Sequence, residues 1–128
     1  NALEKAPIRW IVDDALKFLK REIKRRKRYD ALLLDPPSFG RGSQGQIFKI
    51  ERDLPPLLEL CAQVLKAKPS FIMLTCHTPG ITPEVLGHLL QQSFPKTSIE
   101  SGEMLIPSKH FSLPSGTYAR AFSGREPS

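Results

Sequence analysis

Polar and apolar positions along this chain follow two periods, and each change of period marks an element. Ile8-Arg9-Trp10-Ile11-Val12 is a β-branched and aromatic run that stops at Asp13-Asp14, the pattern of a buried strand that delivers acids to its carboxyl end. From Asp14 the spacing lengthens. Leu16, Leu19 and Ile23, flanked by Phe18, recur every three or four residues with lysines and arginines between them, which predicts an amphipathic helix over 14–27 capped by Asp14. Ala31-Leu32-Leu33-Leu34 is a continuous apolar run of the kind found in strands covered on both faces, and Asp35-Pro36-Pro37 ends it. Ser38 to Gly45, with Gly40, Gly42 and Gly45, reads as a flexible polar loop. Leu54, Leu57, Leu58, Cys61 and Leu65 predict a helix over 53–66, with Asp53 as cap and Pro55-Pro56 in its first turn. Phe71 to Thr75 is a further buried strand, which runs into Cys76-His77-Thr78-Pro79-Gly80. Thr82-Pro83-Glu84 opens a third helix reaching Gln92. Residues 99–106 and 117–122 read as two short strands forming an antiparallel pair at the sheet edge.

Strands and helices therefore alternate until a closing pair of strands, the order of an α/β sheet with right-handed crossovers. In open sheets of this kind, ligands lie outside the carboxyl ends of the strands. Three predicted strands end there in Asp13-Asp14, Asp35-Pro36-Pro37 and Thr75-Cys76-His77. Their convergence on one edge is the central functional expectation.

A chain of 128 residues has room for one core. No apolar run approaches the roughly 20 residues of a membrane-spanning helix, and no signal peptide is visible after Asn1. Cys61 and Cys76 lack metal-ligand spacing, so neither a disulfide scaffold nor a metal site is expected, and a reducing, cytoplasmic setting is. The 12 prolines cluster at element boundaries and act as punctuation. The net charge of +6 is concentrated: between Lys17 and Arg28 stand eight of the 19 basic residues, with Glu22 alone opposing them. Such density suits a phosphate backbone and equally a solvated helix face.

Tyr29-Asp30-Ala31-Leu32-Leu33-Leu34-Asp35-Pro36-Pro37-Ser38-Phe39 resembles the fourth motif of class I S-adenosylmethionine-dependent methyltransferases, in which an acid or amide, two prolines and an aromatic terminate strand four. Trp10 to Leu19 resembles the third strand and motif of that family, and the basic helix between the two motifs is similar to that of bacterial large-subunit ribosomal RNA methyltransferases. Leu113-Pro114-Ser115-Gly116-Thr117-Tyr118-Ala119-Arg120 resembles the closing hairpin of some relatives. The family's pocket begins with a glycine-rich turn after strand one, whereas the first glycine here is Gly40, and the chain lacks an initiator methionine. The resemblance thus implies a Rossmann-like fold in its C-terminal half, strands three to seven of the order 3-2-1-4-5-7-6. The sheet would be mostly parallel with an antiparallel edge hairpin. Strand three would stand apart from strand four, so the piece would need its N-terminal half, self-association or rearrangement.

The resemblance also implies roles. Asp14, with the Ala15 amide, would meet the adenine of S-adenosylmethionine, and Asp13 is either beside it or a surface acid. Asp35, Pro36 and Pro37 form a rigid acceptor array, since two φ angles are fixed and two donors are gone. That array would receive the cofactor's ammonium or a flipped base's amine, with Phe39 stacking on the base and Arg41 contacting RNA. Asp-Pro-Pro is equally good turn chemistry. Ser38 sets Phe39 one place later than in the amino-methylating pattern, which argues against an amino-nitrogen target. For a cytosine C5 target, Cys76 would be the nucleophile, and its other reading is a small buried residue finishing a strand. The expectation is a methyltransferase acting on RNA, ribosomal RNA foremost. Its rival is a non-catalytic basic module that binds RNA or a partner.

Overall fold

The computed structural model describes residues 2–42 and 45–123. The centre of the predicted polar loop, Ser43-Gln44, lies outside them. A short 3-10 turn, Ala2–Lys5, leads into residues 6–14 without regular structure. Helix α1 (Ala15–Lys24) begins where expected: Asp14 is extended and its Oδ1 accepts from the Lys17 N–H at 3.0 Å. It ends three residues short of the predicted Lys27. Arg26, at φ 55°, turns the chain, and the N–H groups of Arg26 and Lys27 donate back to the carbonyls of Ile23 and Glu22. This pairing of terminal carbonyls commonly carries glycine at the turning position. Half of the basic tract, Arg25 to Arg28, therefore lies beyond the helix.

Strand β1 (Ala31–Leu34) is followed by β2 (Phe39–Arg41) and β3 (Ile47–Lys49), which pair antiparallel with Gly40 opposite Phe48. The expected polar loop is thus a hairpin. Its glycine-rich composition hid two strands of three residues each, and the Gly42 N–H donates to the Gln46 carbonyl to close it. Helix α2 (Ile50–Val64) starts three residues before the predicted 53. Asp53 does serve the helix start, but by accepting from the Lys49 N–H at 2.7 Å from inside the helix. Pro55 and Pro56 consequently fall in the second turn, where they remove the donors that the carbonyls of Glu51 and Arg52 would otherwise use. Strand β4 (Phe71–Cys76), helix α3 (Pro83–Ser93) and strands β5 (Ser98–Ile106) and β6 (Leu113–Phe122) complete the chain. α3 is capped by Thr82 Oγ1 accepting from the Val85 N–H at 3.2 Å, with Pro83 at its first position, as predicted.

The main sheet runs β1-β4-β6-β5. β1 and β4 are parallel, and β6 lies antiparallel to both β4 and β5. The α/β class and the edge hairpin hold. The expectation of a mostly parallel sheet does not, because one of the three pairings is parallel. The order is the four-five-seven-six portion of the strand order that the resemblance implies.

Residues 8–12 form no strand, against expectation. A strand needs a neighbour's backbone groups, and β1 is the sheet edge on that side. Trp10 is accordingly 85% exposed. The two faces of the sheet differ as well. Ile72, Leu74, Ala119 and Ala121 are fully buried and join one core with Leu54 and Leu58 of α2 and Leu86 and Leu90 of α3. The opposite face carries Leu33 at 71% exposure, with Phe71 and Phe122 also open to solvent. No helix among the described residues is long and apolar enough to cross a membrane.

Candidate active site

The parallel register sets Leu34 beside Leu74, so the chain leaves β1 with Asp35 next to Thr75. Thr75 Oγ1 donates to Asp35 Oδ1 at 2.6 Å, and His77 Nε2 stands 3.7 Å from the same oxygen. A second link joins the two segments that follow the strands: Ser38 Oγ and Thr78 Oγ1 are 2.6 Å apart. Pro36 is buried while Asp35, Pro37 and Phe39 are exposed, so the proline pair roots the turn and presents its flanking groups. The carboxyl edge of β1 and β4 is therefore a fixed platform.

Asp13 and Asp14 are built differently. Asp13 accepts from the Asp14 N–H and from Arg21 Nη2, both at 2.8 Å, and the Arg21 guanidinium holds its carboxyl below the usual range. That pairing ties Asp13 to its own helix, while Asp13 also lines a cleft with Asp14, Lys17 and Arg41. Asp14 uses one oxygen as a cap and lines a cleft of about 370 Å³ with Ala15, Pro37, Gly40, Arg41 and Phe48. A neighbouring cleft of about 380 Å³ brings Asp14, Lys17 and Arg41 together. Asp35 is not part of either. It lines a separate depression of about 220 Å³ with Leu33, Leu34, Met73 and Thr75. The structure thus brings Asp14, Ala15, Pro37 and Arg41 to one cleft and leaves Asp35 beside it.

Cys76 is 1% exposed and belongs to the core. Its Sγ accepts from the Thr78 N–H at 3.4 Å, the arrangement of a small buried residue finishing a strand, which departs from the expected nucleophile at the edge. Alternation explains it: in β4 the residues facing the core are Ile72, Leu74 and Cys76, whereas Thr75 is on the side of Asp35. The other cysteine, Cys61, is also in the core, and burial pushes its thiol up to about 11.

Sequence reasoning missed several groups. Thr75 was seen as the end of a strand and its hydroxyl as nothing more, because parallel register is invisible without the pairing. Arg52 lines the first cleft, donates to the Ile47 carbonyl and pairs with Asp53 at 2.8 Å, pulling that carboxyl down to about 2. Gly116 falls just before the predicted strand 117–122, and only because β6 begins at Leu113 does this glycine sit inside a strand. At φ 123° it passes so near the edge that a Cβ there would lie 2.7 Å from the Cys76 carbonyl oxygen.

The same architecture recurs among solved structures. The S-adenosylmethionine-dependent methyltransferase from Agrobacterium tumefaciens is 31% identical and superposes with a TM-score of 0.89 over 96% of this chain. The chain has the fold of the class I S-adenosylmethionine-dependent methyltransferases. A methyltransferase solved in complex with S-adenosylhomocysteine, 18% identical with a TM-score of 0.65 over 86% of the chain, and one from Streptococcus mutans, 17% identical with a TM-score of 0.61 over 86%, share the fold. The chain spans 42% of the length of the Agrobacterium methyltransferase and 30% of each of the other two. No protein-family model and no curated protein matches it. Within this methyltransferase fold, the Asp35 platform and the Asp14 cleft both occupy the carboxyl side of the sheet, where ligands of open α/β sheets lie.

Proposed function

We propose that these residues form the C-terminal half of a methyltransferase catalytic domain that uses S-adenosylmethionine to methylate a base in RNA, ribosomal RNA foremost. The observation that carries the reading is the match to the Agrobacterium methyltransferase over 96% of the chain. The open sheet face supports it, since Leu33 and Phe71 are the kind of apolar surface that the other half of a doubly covered sheet would bury. The same half would offer residues 8–12 a neighbouring strand.

The Asp14 cleft fits the adenine end of the cofactor. Asp14 Oδ1 is engaged by the Lys17 N–H, which leaves Oδ2 to accept from an exocyclic amine. The Ala15 amide opens α1 and so has no acceptor within its own helix. When bound, S-adenosylmethionine supplies an electrophilic methyl group on a sulfonium sulfur. Asp35, fixed by Thr75, would face the cofactor's ammonium or the target base, and Phe39, 53% exposed, offers a stacking surface. Lys17 and Arg41 line one cleft with Asp14, so the start of the basic tract of 17–28 opens onto that cleft and would offer cations to an RNA backbone there.

Transfer of labelled methyl groups from S-adenosylmethionine tests this reading with the full-length protein. Ribosomal RNA transcribed without modifications, duplex DNA and a bulk protein extract serve as acceptors. The expected result is label in RNA, reduced about 100-fold by Asp35→Ala, the scale of a misplaced reacting group. Label confined to DNA or protein would contradict the RNA acceptor.

A further inference from the structure

The β5–β6 hairpin outruns the sheet that it closes. Glu103 and Thr117 stand level with Cys76, where β4 ends, yet β5 continues to Ile106 and β6 begins at Leu113. Because β6 runs antiparallel to β4, this extension leaves by the carboxyl edge, the one that carries the Asp35 platform. From Glu103 to Ile106 it rises about 10 Å at the usual spacing of a strand. A bulge marks its root: between the pairs Glu103–Thr117 and Leu105–Pro114, Ser115 and Gly116 stand against Met104 alone. Gly116, at φ 123°, permits that irregularity, since a Cβ there would run into the Cys76 carbonyl oxygen and Met104.

Every residue from Leu105 to Pro114 is exposed. Leu105 and Ile106 point to opposite faces of the ribbon and are each 54% exposed, so neither face is covered. Phe111 is 82% exposed, yet its backbone is fixed. The Ser108 hydroxyl donates to the Phe111 carbonyl and accepts from the Phe111 N–H at 3.2 Å, so one side chain serves both polar groups of the residue that carries the ring into solvent. Lys109 and His110 stand beside it in the chain, and no acid occurs from Met104 to Arg120.

Charge and position together select the occupant. An arm with an aromatic ring, a cation and no carboxylate suits a polyanion that also offers flat apolar faces, and unpaired RNA has both in its phosphates and bases. We infer that the β5–β6 arm grips unpaired RNA next to the target nucleotide, with Phe111 stacking on a base and Lys109 meeting a flanking phosphate. The inference rests on the reading of an RNA methyltransferase and adds the arm that holds its substrate.

Titration of the full-length protein with a fluorescent single-stranded RNA of mixed sequence, and with the same sequence as a duplex, tests this. Single-strand affinity is expected to fall about 10-fold in Phe111→Ala and in Phe111→Leu and to be kept in Phe111→Trp, because stacking needs the ring rather than its apolar area. Duplex affinity should not respond to these changes, its bases being stacked already. Lys109→Gln should lower the slope of log affinity against log salt by about 0.7, the share of one phosphate on a single strand. Affinity for S-adenosylhomocysteine should stay as it is in every variant. If the wild type labels RNA while single-strand binding ignores Phe111→Ala, or if the loss is equal on the duplex, the inference is overturned and the methyltransferase reading stands. A wild type that sediments as a dimer, and as a monomer in Phe111→Ala with RNA affinity unchanged, assigns the arm to a second copy and overturns it too. A wild type that binds S-adenosylhomocysteine but labels no RNA contradicts the proposed acceptor, and the arm's role in holding it falls as well.

Discussion

Four of the five aspartates in this chain, Asp13, Asp14, Asp35 and Asp53, lie at or beside the clefts, and the donors around each carboxylate separate their roles. Asp13 is taken by Arg21, Asp14 caps α1 with one oxygen, Asp35 is fixed by Thr75, and Asp53 accepts from Arg52 and from the Lys49 N–H. Asp53 gives a prediction at this scale. Arg52, and after it the Lys49 amide, lower its carboxyl from 3.8 to about 2 in the folded chain. A depressed carboxylate contributes stability that is fully present above its unfolded value and is lost as pH falls through its folded value. The window is thus about pH 4 down to about 2. Thermal melts in that window should show the wild type losing its advantage over Asp53→Asn as the pH drops, whereas a constant difference would contradict the pairing. Asp14 and Asp35 were legible as residues because strand-end acids are visible in a sequence. Thr75, Arg52 and Gly116 were not, because each matters through a partner that only pairing or packing supplies.

At the level of elements, local patterns were read well and boundaries less so. The starts of α1 and α3 were legible because cap and apolar period agree on both, with a first-position proline added in α3. The start of α2 was missed since Ile47 to Lys49 is too short to show alternation, and Pro55-Pro56 drew the boundary toward themselves. Residues 8–12 carry the composition of a strand without a neighbour to pair with, and that conflict is itself informative. Under the proposed domain, this segment becomes a strand when the other half is present. Trp10 is the single tryptophan of the chain and reports it. The difference in emission between the wild type and Trp10→Phe should move to shorter wavelength, with weaker quenching by acrylamide, in a form extended upstream by about a hundred residues, roughly what a full domain requires. Identical Trp10 spectra in the short and extended forms would contradict a shared sheet.

The molecule as a whole is a sheet covered on one side. Helices α2 and α3 bury Ile72, Leu74, Ala119 and Ala121, while Leu33 and Phe71 remain open on the other face. The α/β class was legible from the alternation of elements, and the methyltransferase likeness from the run ending at Asp35-Pro36-Pro37. The sheet's mainly antiparallel pairing was not, because the sequence cannot show which strands lie side by side. Under the proposed function, the Asp14 cleft and the Asp35 platform would be parts of one donor pocket, and further residues of the same domain would complete it and cover the apolar face. Calorimetric titration of S-adenosylhomocysteine into this chain and into the extended form measures that claim most directly. The account predicts saturable binding to the extended form, weakened by Asp14→Ala and by Asp35→Ala, and weaker or no binding to the 128 residues alone. Absence of binding to the extended form, or binding indifferent to both substitutions, would contradict it.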